Sequence, residues 1–266
     1  MTTSPEHLLC HSDLVILGRM PWSSNATFLC ELWPEGTRPD GGLDEDGALL
    51  PTNPTTAGDA APGDDTDAPG PLGRAIYKPH QGERPLWDFP DGLYVREAGA
   101  YTLAQSLGWD VVPPTVVCHG PFGPGSAQWF IESDYDRHYF VLLEDETFHP
   151  QMRRMAAFDV VANSTDRKSG HVLVDADGHL WGIDNGLCLH AEFKLRTVIW
   201  DFAGDPLPTE LAEDLDAFLS RDLDPALAEI LDPFERDAVR TRARALLTKG
   251  KLPTDPSGQR YPWPLV

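Results

Sequence analysis

The chain has 266 residues, 41% hydrophobic and 24% charged, enough apolar sequence for one large domain or two small lobes and too much for a disordered protein. Its formal net charge of −21 argues against nucleic acid as a general partner and against an anionic membrane surface, since both demand clustered Lys and Arg. No apolar run is long enough for membrane insertion, and the N-terminal MTTSPEHLLCHSDLVILG lacks the basic-then-apolar order of a signal peptide. Cys10, Cys30, Cys118 and Cys188 are scattered and read as reduced, mostly buried thiols, so the expectation is a cytoplasmic protein.

In chain order, DLVILG reads as a buried strand, RMPWSSNA as a polar turn and TFLCELW as a second strand. From Pro34 to Gly73 nine acids stand against one base, Arg38, in a setting of Pro, Gly, Thr and Ala that offers nothing to pack. This is expected to be a disordered acidic insertion, 34–73, between adjacent strands, where a long loop costs little. GRAIYKP is a third strand, stopped by Pro79. Residues 91–107 read as a helix ending at Gly108, with Leu93, Glu97, Tyr101 and Ala104 at helical spacing. Glu97 thus lies on a mainly apolar face, and a carboxylate buried there needs a partner. WDVVPPTVVC and GSAQWFIES read as two more strands. PQMRRMAAFDVVAN is helical, and so are Pro208–Leu219 and a segment from Asp232 to Gly250. The last of these has an Asp N-cap, Pro at N1 and Glu at N3. The C-terminal PTDPSGQRYPWPLV is extended and aromatic, suited to packing across a lobe. The fold class expected is α+β and bilobal: a β-rich N-lobe with one helix over 1–132, and a mainly helical C-lobe over 133–266 that carries the loops described next.

The stretch FDVVANSTDRKSGHVLVDADGHLWGIDNG, residues 158–186, holds five aspartates, two asparagines, two histidines and an Arg-Lys pair among apolar residues. HVLVD reads as a strand, DADG as a hairpin turn and HLWGI as the returning strand, which brings Asp184 back towards His171. Asp166, His171 and Asp184 can then share a site suited to a divalent cation and polyphosphate. Asp159 and Asn163, one helical turn apart, are expected either to brace the loop that follows or to line the cleft, with a bracing or plain N-cap role favoured. Phosphoryl transfer needs a Lys for the α/β phosphates, a Glu to orient it, an acid to accept a hydroxyl proton and ligands for magnesium. In the protein-kinase plan the catalytic Asp precedes the metal-binding Asn by five residues, and a second metal Asp lies in Asp-Phe-Gly. The same offset runs from Asp166 to His171, Asp184-Asn185-Gly186 stands in the later place, Lys78 ends a strand, and Glu97 follows on the next helix.

AIYKP, the Glu97 helix, FDVVANSTDRKSGH, GIDNG and KLRTVIWDFAGDPLP carry a resemblance over most of the chain outside the acidic insertion. The sequence looks like an actinobacterial family described as phosphatidylinositol 3/4-kinase-like, among the atypical kinases beside HipA-like and phosphoinositide kinases. The resemblance implies a bilobal protein-kinase-like fold, ATP as substrate and Mg2+ as cofactor. It implies Asp166 as the catalytic Asp, His171 at the metal-binding Asn position, Asp184 as the metal Asp, and Lys78 with Glu97 as the ion pair. Two departures stand out. A neutral imidazole at His171 suits Mn2+ or softer ions better than Mg2+. There is also no GxGxxG, so Ser23, Ser24 and Asn25 would contact phosphates through hydroxyl and backbone N–H groups, or form an ordinary hairpin turn.

The reading these residues favour is an ATP-dependent kinase acting on an unidentified hydroxyl acceptor, with protein or small molecule ahead of lipid because no basic patch or amphipathic anchor is seen. AMP transfer on the same fold is a related alternative. A nucleotide-binding pseudokinase is a second hypothesis, supported by His171 and the missing Gly-rich loop and opposed by retention of Lys78, Glu97, Asp166 and Asp184. A phosphohydrolase is a third, and too few ligands converge for it. His119, His179 and His190 are read as non-ligands, and Trp87, Trp109, Trp129, Trp181 and Trp200 as core. Lys194 and Arg196 are either a solvated basic turn or a contact for an anionic substrate or an acidic partner strand.

Overall fold

A computed structural model of the chain describes residues 3–21, 23, 25–37 and 70–266. Two compact units emerge, Met1–Pro85 with Pro114–Phe130, and Leu86–Pro113 with Ile131–Val266. The segment 86–113, with the helix that carries Glu97, was expected within the N-lobe and groups with the helical unit.

The first unit is one antiparallel sheet with a short helix. Helix α1 (Pro5–His11) starts at Ser4, whose side chain accepts from His7 N–H, with Pro5 where a missing N–H costs nothing. Strands β1 (Ser12–Arg19), β2 (Phe28–Pro34), β3 (Gly73–Pro79), β4 (Thr115–Gly120) and β5 (Gly123–Trp129) lie in the order β1-β2-β3-β5-β4. Burial alternates along β2 and β3, and the register Phe28↔Tyr77 and Cys30↔Ala75 puts their apolar positions on one face. Leu9 of α1 packs there with Leu32, Ala75 and Ala127. The acidic stretch thus joins two paired neighbours, and its residues 38–69 lie outside the described ones. Tyr77 needs glycine around it. A Cβ at Gly120 would sit 2.7 Å from its ring, and its hydroxyl donates to Gly123 O at 2.7 Å. Burial pushes that hydroxyl up to about 12. All four cysteines are free thiols; Cys30 and Cys188 are buried and Cys10 is exposed.

The sheet differs from expectation at one end. Residues 109–114 are not strand, because Trp109, Val111 and Val112 belong to the core of the helical unit, where Val111 O accepts from Gly182 N–H. β5 stops at Trp129, short of the expected Ser133.

The second unit is built on α2 (Leu93–Leu107), α3 (Tyr139–Leu142), α4 (His149–Ala162), the hairpin β6 (Val172–Val174) and β7 (Leu180–Gly182), α5 (Thr209–Leu219), α6 (Pro225–Ile230) and α7 (Pro233–Lys249). α2 ends where Gly108, at φ 71°, returns its N–H to Ala104 and Gln105 carbonyls. α7 has the expected start: Asp232 accepts from Glu235 N–H, and Glu235 reaches back to Asp232 N–H. Leu103, Trp109, Met152, Phe158, Leu211, Phe218, Val239 and Leu246 fill one core. A buried pair, Arg96–Glu235 at 2.5 Å, ties α2 to α7, and Arg96 also donates to Cys188 O. Among the described residues no helix is long and apolar enough to cross a membrane. The C-terminal segment does pack across its unit: Arg260 O accepts from Thr197 N–H and Trp200 Nε1, and Leu265 O accepts from Ser169 N–H.

Candidate active site

Helix α4 supplies the floor of the site. Its last turn carries Asp159, fully buried, and it ends at Asn163, whose backbone turns left-handed at φ 58°. Asparagine tolerates that conformation better than most residues. The Asn163 side chain donates to His190 O and Glu192 O and accepts from Lys194 N–H, so it fixes residues 190–194 against the helix end. Asn163 thus braces residues 190–194 rather than the loop that directly follows α4.

The loop after α4 carries Asp166, Arg167 and Lys168. Arg167 is buried, and a charge there must be matched on every side. Its guanidinium reaches Asp159 at 3.0 Å, Ile183 O at 2.8 Å and Asn185 Oδ1 at 2.6 Å. Asp159 is completed by the Thr197 hydroxyl at 2.9 Å. Gly182 leaves room for the guanidinium, since a Cβ there would lie 3.1 Å from it. One arginine thus joins α4, the loop and the end of the hairpin. Flanking it, Asp166 points elsewhere and accepts from Lys168 Nζ at 2.6 Å, with 25% of its side chain exposed. Partial burial holds its carboxyl above the ordinary range, against the bond and charge of Lys168, which pull it down; the charge of Asp184 adds to the upward push.

The hairpin brings Asp184 to His171, as its length predicts, with Nε2 3.4 Å from Oδ2. Asp184 is left-handed, φ 57°, and its side chain is 52% exposed. A non-glycine residue held there is a strained, presented carboxylate rather than a packed one. The His171 Nδ1 accepts from Lys168 N–H at 3.4 Å, which leaves the neutral ring's proton on Nε2, facing Asp184. Asn185 is engaged throughout: its N–H donates to Glu97 Oε2 at 2.9 Å, its Oδ1 takes Arg167, and its Nδ2 donates to Gly182 O. Gly186 then admits Glu97, because a Cβ would stand 3.2 Å from Oε1. Glu97 is buried, as its place on the apolar face of α2 requires.

His171 and Asp184 are brought together. Asp166 is not part of one tight ligand set with them, since among the described residues their three donor groups do not all lie within 4.8 Å of one another. Lys78, at the end of β3, pairs in register with Ser126. In the turn after β1, the Ser23 hydroxyl is bonded to the Thr27 hydroxyl and Asn25 Oδ1 accepts from Arg84 N–H, while Ser24 lies outside the described residues. Trp109 is core as expected, but Trp87 is 96% exposed, because it precedes α2 in a segment with no apolar layer above it. Sequence reasoning missed Arg167 and Lys168 as individuals. The available signal was Asp159, an acid on an apolar helix face that calls for a cation, just as Glu97 calls for a partner.

An antiparallel five-stranded sheet joined to a helical unit, with an acid loop after a buried helix and a second acid after a short hairpin, defines a protein-kinase-like fold. Hydra Fam20, solved with a sugar, has that fold at a TM-score of 0.50 with 10% identity, over 91% of this chain and 86% of that one. The Helicobacter pylori proinflammatory kinase CtkA aligns at 0.46 with 9% identity, over 92% and 94%. The family described as phosphatidylinositol 3- and 4-kinase matches residues 117–223. Protein Rv2133c of Mycobacterium tuberculosis is 34% identical over 300 residues, covering 97% of this chain and 95% of that protein, and the chain belongs to the same family.

Proposed function

We propose that the chain is an ATP-dependent atypical kinase that transfers the γ-phosphoryl group to a hydroxyl acceptor. The observation that carries this is Asp166: a half-buried carboxylate, held above the usual range, bonded to a lysine and beside a loop that presents a second, exposed acid. A base with a raised pKa and a cation on the same loop suit a hydroxyl that must lose its proton while negative charge leaves.

The acceptor oxygen attacks the γ-phosphorus as the bond from it to the β–γ bridging oxygen breaks; ADP leaves, and the hydroxyl proton passes to Asp166. Lys168 steadies the carboxylate before transfer and is the near cation for the moving phosphoryl group. Lys78 is assigned to the α and β phosphates and Glu97 to orienting it, and Ser23, Ser24 and Asn25 to the phosphates through hydroxyl and backbone N–H groups, all on motif order alone. The donor chemistry fits a hard divalent cation at Asp184, an exposed carboxylate oxygen; His171 would add Nε2 only by giving up the Lys168 N–H bond at Nδ1, so that the ring proton can move there. Magnesium or manganese bound there neutralises polyphosphate charge. The net charge of −21 keeps a lipid surface behind soluble acceptors.

The test is incubation with γ-labelled ATP and magnesium or manganese, beside Asp166→Ala and Asp184→Asn. Label transfer or ATP loss that both substitutions abolish is expected. Transfer of label from α-labelled ATP would instead establish AMP transfer. No turnover, with nucleotide still raising the melting temperature, would establish a pseudokinase.

A further inference from the structure

A groove of about 750 Å³ opens in the helical unit, lined in part by Trp87, Asp88, Phe193, Lys194, Arg196 and Arg260. None of these residues has a part in the transfer chemistry. We propose that it is the acceptor site and takes a small organic anion with a flat apolar portion; the assignment as acceptor site rests on the kinase reading.

Position comes first. Arg167 and Thr197 form a parallel bridge, with Arg167 N–H donating to Arg196 O and Val198 N–H to Arg167 O. Arg196 N–H also donates to Ser164 O, so Arg196 is held between the two ends of the Ser164–Arg167 loop that carries Asp166. The groove wall therefore continues from the proposed catalytic loop.

Charge comes next. In a chain of net charge −21, this surface sets three bases, Lys194, Arg196 and Arg260, against two acids, Asp88 and Glu192. Lys194 is already matched, with Nζ bonded to Asp88 O at 2.7 Å and Oδ2 at 3.2 Å. Arg196 is exposed, and among the described residues its guanidinium has no partner. Arg260 meets Asp255 only at 3.9 Å and lies over the Phe193 ring at 4.9 Å. Two forked donors in one groove, one of them unmatched, suit a carboxylate or phosphate. The apolar half is equally exposed: Trp87 at 96% and Phe193 at 48% offer ring faces to a flat group.

The groove is also pre-formed. Asn163 pins 190–194 by three hydrogen bonds, and Arg260 O holds the tail to Thr197 and Trp200. Its volume lies in the ~300–1,000 Å³ range of small-molecule sites. That favours a small acceptor over a long peptide.

The experiment uses the full chain without nucleotide and follows tryptophan fluorescence and calorimetry with phenyl phosphate, benzoate and uncharged benzyl alcohol, at low and high salt. Phenyl phosphate or benzoate is expected to bind and benzyl alcohol not to. Arg196→Gln and Trp87→Ala should each weaken binding about tenfold, while Arg154→Gln, on α4 away from the groove, should not, with melting curves checking that each variant is folded. Unchanged affinity in Arg196→Gln, equal binding of benzyl alcohol, or binding of a hexaglutamate peptide but of neither small anion would overturn the proposal. A chain that binds the anions through Arg196 but turns over no ATP keeps the binding site and loses the kinase reading. A chain that turns over ATP through Asp166 yet binds neither anion loses the groove and keeps the kinase.

Discussion

Replacing Arg167 by methionine tests the arrangement at its centre. The change keeps length and apolar bulk but removes the guanidinium that Asp159, Ile183 O and Asn185 Oδ1 share. Asp159 is fully buried and keeps only the Thr197 hydroxyl among its side-chain partners. Breaking a buried ion pair from one side costs about 3–5 kcal/mol, because the stranded charge stays out of water. The two orphaned acceptors add about 1–3 kcal/mol each in isolation, but they can relax together, so the sum is not reached. A loss of about 4–5 kcal/mol is expected, a large share of the ~5–15 kcal/mol that a domain has in total. Equilibrium urea unfolding measures it. The double variant Arg167→Met with Asp159→Leu removes both charges and should recover more than half of the loss. A single-variant cost under about 1.5 kcal/mol, or a double variant no better than the single, would refute the claim that Arg167 is the hub of the site.

Two further outcomes follow from the same geometry. Because burial raises the Asp166 carboxyl, its protonated form favours the fold; that stabilisation is full below the unfolded pKa and is lost as pH rises through the folded one, where the ionised form costs stability. Asp166→Asn should therefore melt above the wild type at pH 7, with the gap closing as pH falls below the usual carboxylate range; a gap that widens on acidification would contradict this. Gly186→Ala puts a methyl group 3.2 Å from Glu97 Oε1 and 3.5 Å from Leu93 Cβ, so Glu97 must give way and its bond from Asn185 N–H weakens. The expected cost is ~1–3 kcal/mol, read as a lower urea midpoint, and an unchanged midpoint would mean that Glu97 has slack.

What could be read from the sequence was local. Strand alternation in TFLCELW, the Asp232 cap and Gly250 stop of α7, and the hairpin that returns Asp184 to His171 depend on neighbours a few residues apart. What could not be read depends on distant partners. Arg167 looks like a solvated base beside an acid until Asp159, Ile183 and Asn185 are seen around it. Residues 109–112 read as strand by composition, yet β7 and the helical core claim them. Trp87 is the reverse case, apolar by type and left in water by its position before α2. The acids show why burial decides what composition cannot. Glu97 and Asp159 are buried and taken up, one by a backbone N–H and the other by an arginine and a threonine. Asp166 and Asp184 keep 25% and 52% of their side chains exposed. The first pair is already engaged inside the protein, whereas the second pair faces water and can change partners, as a group that carries a proton or holds a metal through a reaction must.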